Sequence, residues 1–255
     1  MRALKRKILE HGPLWVPFAP VEYALRALAK FLSEKTYCRL SFADVYERYK
    51  RCSPHLHGTV LEVGGSQSLL RLFFKGNATY LDVQFSPDFS KHETCVVGNG
   101  MYLPFPDSTF SCVLSTAVLE HIPRHLRHAF CNELKRVAKD RVVLYCPISP
   151  WARVFDNRLV FMRKILGIRD RWTLEHLQYG QPTLAELTEY FPDAQITCLQ
   201  NANVWLIITF LQSIPVISAI LPGIARMLLR RFDSGKPTAA IVVWAKKSLK
   251  SSQQA

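Results

Sequence analysis

The sequence predicts an α/β protein built on a doubly wound sheet. Three observations predict it. Short apolar runs alternate along the chain with longer stretches in which apolar residues recur every three or four positions. The first two runs each close on an acid, Glu62 and Asp82, and Gly64 and Gly65 follow just beyond the first. At 255 residues, 49% hydrophobic and 21% charged, the chain is long enough to bury such a core. That composition excludes a disordered tail, a collagen-like repeat and a small disulfide scaffold.

Taken in order, Val21, Leu25, Leu28 and Leu32 fall at helical spacing, with Arg26 and Lys30 off the stripe. Ser41 is placed to cap a second helix running through Lys50. Thr59-Val60-Leu61 reads as a buried strand that runs through Glu62-Val63 into a tight glycine turn. Ser68 to Phe74 reads as the helix that follows. Thr79-Tyr80-Leu81 is a second strand, closed by Asp82, and Cys112 to Val118 a further apolar one. Residues 127–138 form a helix with Phe130, Leu134 and Val137 on one face. Arg141 to Cys146 is a strand stopped by Pro147. Thr183 to Phe191 is a helix, Ala194 to Leu199 a strand, and Ala239 to Trp244 the last strand. This alternation implies a parallel sheet covered on both faces. There is no internal repeat and no low-complexity segment.

The net charge of +13 is unevenly placed. Residues 1–53 carry +6, 124–184 carry +7 and 226–255 carry +6, whereas 54–123 and 185–225 each carry −3. A basic surface suits nucleic acid, anionic lipid or an acidic substrate. The chain has no RNP-like aromatic motif, no zinc finger and no basic-aromatic stripe, which argues against nucleic acid. Its seven cysteines are odd in number and lack a C-x-x-C pair. That usage points to a reducing, cytoplasmic compartment and to no metal site. The N-terminus is basic, but Glu10, His11 and three prolines interrupt any apolar core of a signal, so no cleaved leader is expected.

An acid and glycines ending one strand, with an acid ending the next, make a nucleoside-binding arrangement. Glu62 and Asp82 are 20 residues apart, close to the dinucleotide-binding spacing. Glycines let backbone N–H groups approach a ligand, and the second acid can accept from both ribose hydroxyls. G-x-G-x-x-G and a Walker lysine are both absent, so a pyrophosphate ligand is poorly supported.

Three further blocks give the pattern a family. VLEVGGSQS at residues 60–68 occupies the place of a first motif. VVGNGMYLPFPDSTFSCVLSTAVLEHIP at 96–123 supplies a glycine and polar pair, an L-P-F-x-D-x-x-F run and a strand closing on L-E-H. ELKRV at 133–137 matches E-x-x-R-V before the next strand. Together they resemble the class I S-adenosylmethionine-dependent methyltransferases, in particular the type-11 group. The resemblance covers residues 57–148 well and the chain after 183 more loosely. It implies a Rossmann-like seven-stranded methyltransferase sheet with N-terminal helices and an apolar helical insertion before the last strand. It divides the chain into an N-terminal extension at 1–56, a methyltransferase domain at 57–250 with insertions at about 149–182 and 203–235, and a tail at 251–255.

By the same resemblance, Glu62, Gly64, Gly65 and Ser66 line the methionine end of S-adenosylmethionine. Asp82 binds its ribose, Asn99, Gly100 and Met101 lie against adenine, and Thr116 and Glu120 sit at the mouth of the fourth strand. Four positions depart from the family pattern. Ser66 and Ser68 stand where the second and third glycines of the first motif are usual, Asn99 replaces an acid, and Ser111 replaces the aspartate after Phe110. A serine hydroxyl can bond the cofactor carboxylate, and Asn99 can accept from the adenine amine.

Methyl transfer from a sulfonium is an in-line displacement that needs alignment, and an alcohol nucleophile also needs a base. His121 is the first candidate, with Glu120 orienting it or binding substrate; capping of the strand-to-helix turn is the alternative use of the pair. His176, in TLEHLQYGQPT, is the second, with a solvated loop histidine as its alternative. His125 and His128 read as surface residues.

No charged residue occurs from Ala194 to Ala225. Length permits a membrane span there, but strands on either side must join one sheet, and Pro215 and Pro222 break the run. An interfacial helical insertion at 204–232 is expected instead. Arg226, Arg230 and Arg231, and the N-terminal Arg2, Lys5, Arg6 and Lys7 beside Leu14, Trp15 and Phe18, would lie near anionic head groups. Packing on the core or across a homodimer interface is the alternative. The expected function is O-methylation of a sugar, or of a lipid-linked or isoprenoid acceptor, peripherally on the inner face of the membrane. A non-catalytic methyltransferase-fold scaffold or partner protein is the alternative that Ser66 and Ser68 keep open.

Overall fold

A computed structural model describes residues 43–66, 68–91, 93–165, 171–212 and 235–246. The helix expected at 21–32, Ser41, the basic N-terminal residues, Arg226, Arg230 and Arg231 lie outside them. The elements in chain order are α1 (Ala43–Cys52), β1 (Val60–Val63), β2 (Ala78–Asp82), α2 (Pro87–Ser90), β3 (Thr94–Val97) and β4 (Phe110–Thr116). Then come α3 (Arg127–Val137), β5 (Ala138–Pro147), α4 (Trp151–Ile165), α5 (Arg171–Tyr179), α6 (Leu184–Tyr190), β6 (Gln195–Asn201), α7 (Ala202–Gln212) and β7 (Pro237–Ala245).

The seven strands form one sheet in the order β3-β2-β1-β4-β5-β7-β6. β1 pairs in parallel with β2 and β4, β2 with β3, and β4 with β5. The direction reverses at β7. Lys246 N–H bonds Asp140 O near one end of β5, and Ile148 N–H bonds Thr238 O at the other. The all-parallel expectation therefore holds for five strands and fails at β7. Strand and helix alternation predicts parallel pairing, but says nothing of which neighbour the last strand meets.

β1 is buried at all four positions, and Cys112 to Thr116 of β4 and Val142 to Cys146 of β5 are buried without a break. Strands covered on both faces lose the alternation of a half-solvated strand and read as continuous apolar runs. That is why these three were legible. β3 was not: it is a four-residue strand at the sheet edge, with Cys95 and Val96 half-buried and both ends exposed. The helix expected at Ser68–Phe74 is also absent, reduced to one 3₁₀ turn at Leu70–Leu72. Ser68 Oγ accepts from Leu70 N–H (3.0 Å), a local turn that competes with helix, and Gly76 follows before a second turn can form.

Contacts divide the chain into two compact units. One comprises Arg48–Pro147, Pro182–Thr197 and the chain from Ala240; the other includes Ile148–Gln181 and Cys198–Ala239. In the first, Phe130, Leu134 and Val137 of α3 are buried, and Thr183 closes a capping box with Glu186 at the start of α6. In the second, α4 buries Ala152, Phe155, Asp156 and Leu159 on one face, and Phe155 stacks on Trp205 of α7. Among the described residues no helix is long and apolar enough to cross a membrane.

Candidate active site at the carboxyl ends of the strands

Register gathers the site. Val63 lies level with Leu81 and Ser115, and Asp82 with Val97. The segments after β1, β2, β3 and β4 therefore leave one edge of the sheet. β1 lies between β2 and β4, where strand order turns, and open α/β sheets bind ligands at the carboxyl ends beside such a switch point.

After β1 the chain turns on Gly64, at φ +87°, where a β-carbon would also meet Val118 at 2.2 Å. Its N–H bonds Leu81 O at 2.8 Å, pinning the turn to β2. Ser66 N–H donates to Asp82 Oδ2 at 2.9 Å, and Val83 N–H to Oδ1 at 2.7 Å. Asp82 is half-buried, and each oxygen retains a lone pair after these bonds. The first two strand ends are thus joined by the carboxylate that the sequence places at the ribose.

Glu62 has different surroundings. It is 0% exposed. Tyr49 Oη of α1 donates to its Oε1, and Ser68 Oγ donates to its Oε2 at 2.5 Å. Thr116 Oγ1 in turn donates to Tyr49 Oη at 3.3 Å. Burial pushes the Glu62 carboxyl up to about 7, against the pull of the Ser68 and Tyr49 hydrogen bonds and with Asp82 and Glu93 adding to the rise. Burial likewise holds the Tyr49 hydroxyl well above its ordinary range. A serine hydroxyl can bond a cofactor carboxylate; that of Ser68 is bonded to Glu62 in this structure. Tyr49 was not singled out in the sequence at all, since one tyrosine on a helix 13 residues ahead of the acid carries no local signal.

On the loop after β3, Met101 N–H donates to Asn99 Oδ1 at 2.9 Å. Gly100 is packed so tightly that a β-carbon would meet Phe130 at 2.8 Å and Val63 at 3.2 Å. E-x-x-R explains the position of the following segment. Arg136 donates to Leu103 O (3.0 Å), Phe105 O (2.8 Å), Asp107 and Glu133, while Glu133 Oε2 accepts from Leu103 N–H at 2.8 Å. The helix motif is the clamp of the L-P-F run, a role the sequence reading left unassigned.

Beyond β4 the backbone turns left-handed at Ala117 (φ 55°), whose N–H bonds Tyr145 O. Glu120 and His121 follow in a 3₁₀ turn. Glu120 is 1% exposed, and its Oε2 accepts no hydrogen bond from the described residues. A buried carboxylate oxygen without a donor is costly, and this one stands at the end of β4. His121 is half-buried, and His125 and His128 are exposed, as expected of surface residues.

Residues 61–146 match the family profile described as a methyltransferase domain, type 11. That stretch, about a third of the chain, is thus similar to the methyltransferase-domain family. No curated protein matches it in sequence. Among solved structures it is similar to a SAM-dependent methyltransferase of Thermotoga maritima, at 12% identity over 86% of this chain and 97% of that one, TM-score 0.52. It is similar also to phosphoethanolamine N-methyltransferase 2 of Haemonchus contortus, at 13% identity over 81% and 53%, TM-score 0.52. Mycolic acid cyclopropane synthase is a third, at 15% identity over 79% and 84%, TM-score 0.50. At these identities the likeness is one of fold.

The other sequence candidate, His176, belongs to the second unit. It sits on α5, and its Nδ1 lies 3.1 Å from Asp156 Oδ2 of α4. Gln181 Nε2 donates to the same oxygen. Asp156 is 4% exposed, so the histidine has a buried acid partner that its sequence neighbourhood did not reveal. The pairing is between residues 20 apart on two helices, beyond the reach of any local motif.

Proposed function

We propose that this methyltransferase uses S-adenosylmethionine to O-methylate a sugar, or a lipid-linked or isoprenoid acceptor, at the cytoplasmic face of a membrane. One observation carries the cofactor reading: the Asp82 carboxylate, held by Ser66 N–H and Val83 N–H beside the Gly64 turn. The residues fit the cofactor. Asp82 keeps acceptor capacity for a ribose diol, Gly64 and Gly65 leave the turn without a long side chain, and Asn99 through Met101 border the next strand end. The Haemonchus enzyme and the cyclopropane synthase were each solved with S-adenosylhomocysteine, which supports the same reading.

S-adenosylmethionine supplies a methyl on a sulfonium, and its sulfur departs as a neutral thioether. The chain must align the acceptor oxygen with that methyl and remove the hydroxyl proton. We assign the proton to His121, which follows β4 in the same 3₁₀ turn as Glu120. When bound, the cofactor would supply the methyl, and the His121 ring would take the acceptor's hydroxyl proton. Glu120 is assigned to an acceptor hydroxyl, and Thr116 to the same strand mouth. His121→Ala is expected to lower kcat on the order of 10²–10⁴-fold, with a smaller effect of His176→Ala. The reverse ranking would move the base to His176.

The membrane reading rests on the uncharged run at 194–225 and on α4, which exposes Phe161 (66%) and Ile165 (69%) on the face that also bears Arg158 and Lys164. Calorimetric titration with S-adenosylmethionine, beside an Asp82→Ala control, tests the cofactor reading; no binding to folded protein would sink it. Flotation with anionic liposomes tests the membrane, with neutralised Arg226, Arg230 and Arg231 as the control.

A further inference from the structure

The Glu62 carboxylate is the least expected feature of the first motif. It is completely buried, and both of its oxygens are held by hydroxyl groups, from Tyr49 of α1 and from Ser68. No Lys, Arg or His among the described residues pairs with it. The titratable groups that face it are Tyr49, Asp82, Glu93, Cys52 and Tyr80, and each is neutral or acidic. Arg48 and Arg51 act on Cys52 of the same helix. Hydroxyl donors stabilise a carboxylate less than a cation does, so the group is poised between its two protonation states. It lies at the end of β1, directly beneath Gly65, whose added β-carbon would come within 3.3 Å of its Cγ.

We infer that cofactor binding is coupled to release of a proton from Glu62, and that Tyr49 and Ser68 are positioning residues which set that coupling by holding its two oxygens. This rests on the reading of the Gly64–Ser66 turn as the S-adenosylmethionine site. S-adenosylmethionine brings an ammonium and a sulfonium to that turn, and a positive charge arriving near a buried carboxyl favours its ionised form. The O–H bond of the Glu62 carboxyl breaks, its proton goes to solvent, and the carboxylate retains the Tyr49 and Ser68 hydroxyls as donors. Nothing is oxidised or reduced. The two hydroxyls exist as a pair in this chain because Ser68 replaces a glycine, and a glycine offers no donor to Oε2.

The test is calorimetric titration of the full chain with S-adenosylmethionine in two buffers of different protonation enthalpy, at pH 6.5 and pH 8.5. Wild type should release a fraction of a proton at pH 6.5 beyond that measured for Glu62→Gln, and the difference should vanish at pH 8.5. Tyr49→Phe should bind several-fold more weakly at pH 6.5 and recover towards wild type at pH 8.5, because the loss of one donor raises the pH at which Glu62 ionises. Ser68→Ala should behave in the same sense, which keeps the test open if Tyr49→Phe does not fold. A loss of affinity independent of pH would mean that the hydroxyls serve only packing. Wild type and Glu62→Gln with equal proton release would overturn the coupling while leaving the cofactor site intact. Absence of binding by wild type would overturn both.

Discussion

Glu62 and Asp82 end neighbouring strands 20 residues apart, and a sequence treats them alike. Their surroundings differ in three respects. Asp82 is half-buried and Glu62 fully buried. Asp82 is bonded to two backbone N–H groups, Glu62 to two side-chain hydroxyls. Asp82 therefore stays partly open, whereas Glu62 is enclosed with hydroxyl groups on both of its oxygens. The same residue chemistry near two adjacent strand ends yields a partly open carboxyl group in one case and a fully enclosed one in the other.

Isosteric amides break this comparison most directly. Asp82→Asn removes the charge and sets an amide against one of two N–H donors, Ser66 or Val83. We expect S-adenosylmethionine affinity to fall on the order of a hundred-fold, the scale of one or two charge-assisted hydrogen bonds. Glu62→Gln keeps the hydrogen-bonding shape and should cost far less. Titration of the two variants side by side decides the matter. Equal losses would mean that both acids face the cofactor and that burial of Glu62 has no functional meaning.

Much of this was legible beforehand, and the limits have physical causes. β1, β4 and β5 are enclosed on both faces, so their sequences are unbroken apolar runs and their positions follow from composition alone. β3, at the edge, shows no such run. The turn after β1 was legible because Gly64 must adopt a positive φ. The fate of Ser68 was not, because its hydroxyl had two rival partners, a cofactor or Glu62, and only the fold brings Glu62 to 2.5 Å. The pairing of Asp156 with His176 leaves no sequence signal for the same reason, since it depends on how α4 and α5 pack. Residues that act through contacts across the chain leave no periodic trace.

The second comparison concerns stability. The Glu62 carboxyl is raised by burial to about 7, above its ordinary value of 4.5. A raised acid favours the folded state in its protonated form. That contribution is fully present below about pH 4.5 and is lost as pH rises through about 7. Glu62→Gln, which cannot ionise, should therefore gain on wild type between pH 5 and pH 8 in thermal unfolding. Parallel pH profiles for the two proteins would show that Glu62 does not titrate in this window.

The smallest effect separates the two serines of the first motif. Ser66 contributes its backbone N–H to Asp82, and alanine supplies the same N–H. Ser68 contributes its hydroxyl, both as donor to Glu62 and as acceptor from Leu70 N–H. Ser66→Ala should therefore leave cofactor affinity within about two-fold, inside the usual range for a substitution that removes no hydrogen bond. Ser68→Ala should destabilise the fold by roughly 1–3 kcal/mol, because it leaves a buried carboxylate oxygen without its donor. Denaturant unfolding of both variants gives the stabilities, and titration gives the affinities. If Ser66→Ala weakened binding as strongly as Asp82→Asn, its hydroxyl would be a cofactor ligand. The replacement of glycine at that position would then be a gain of contact rather than a tolerated change.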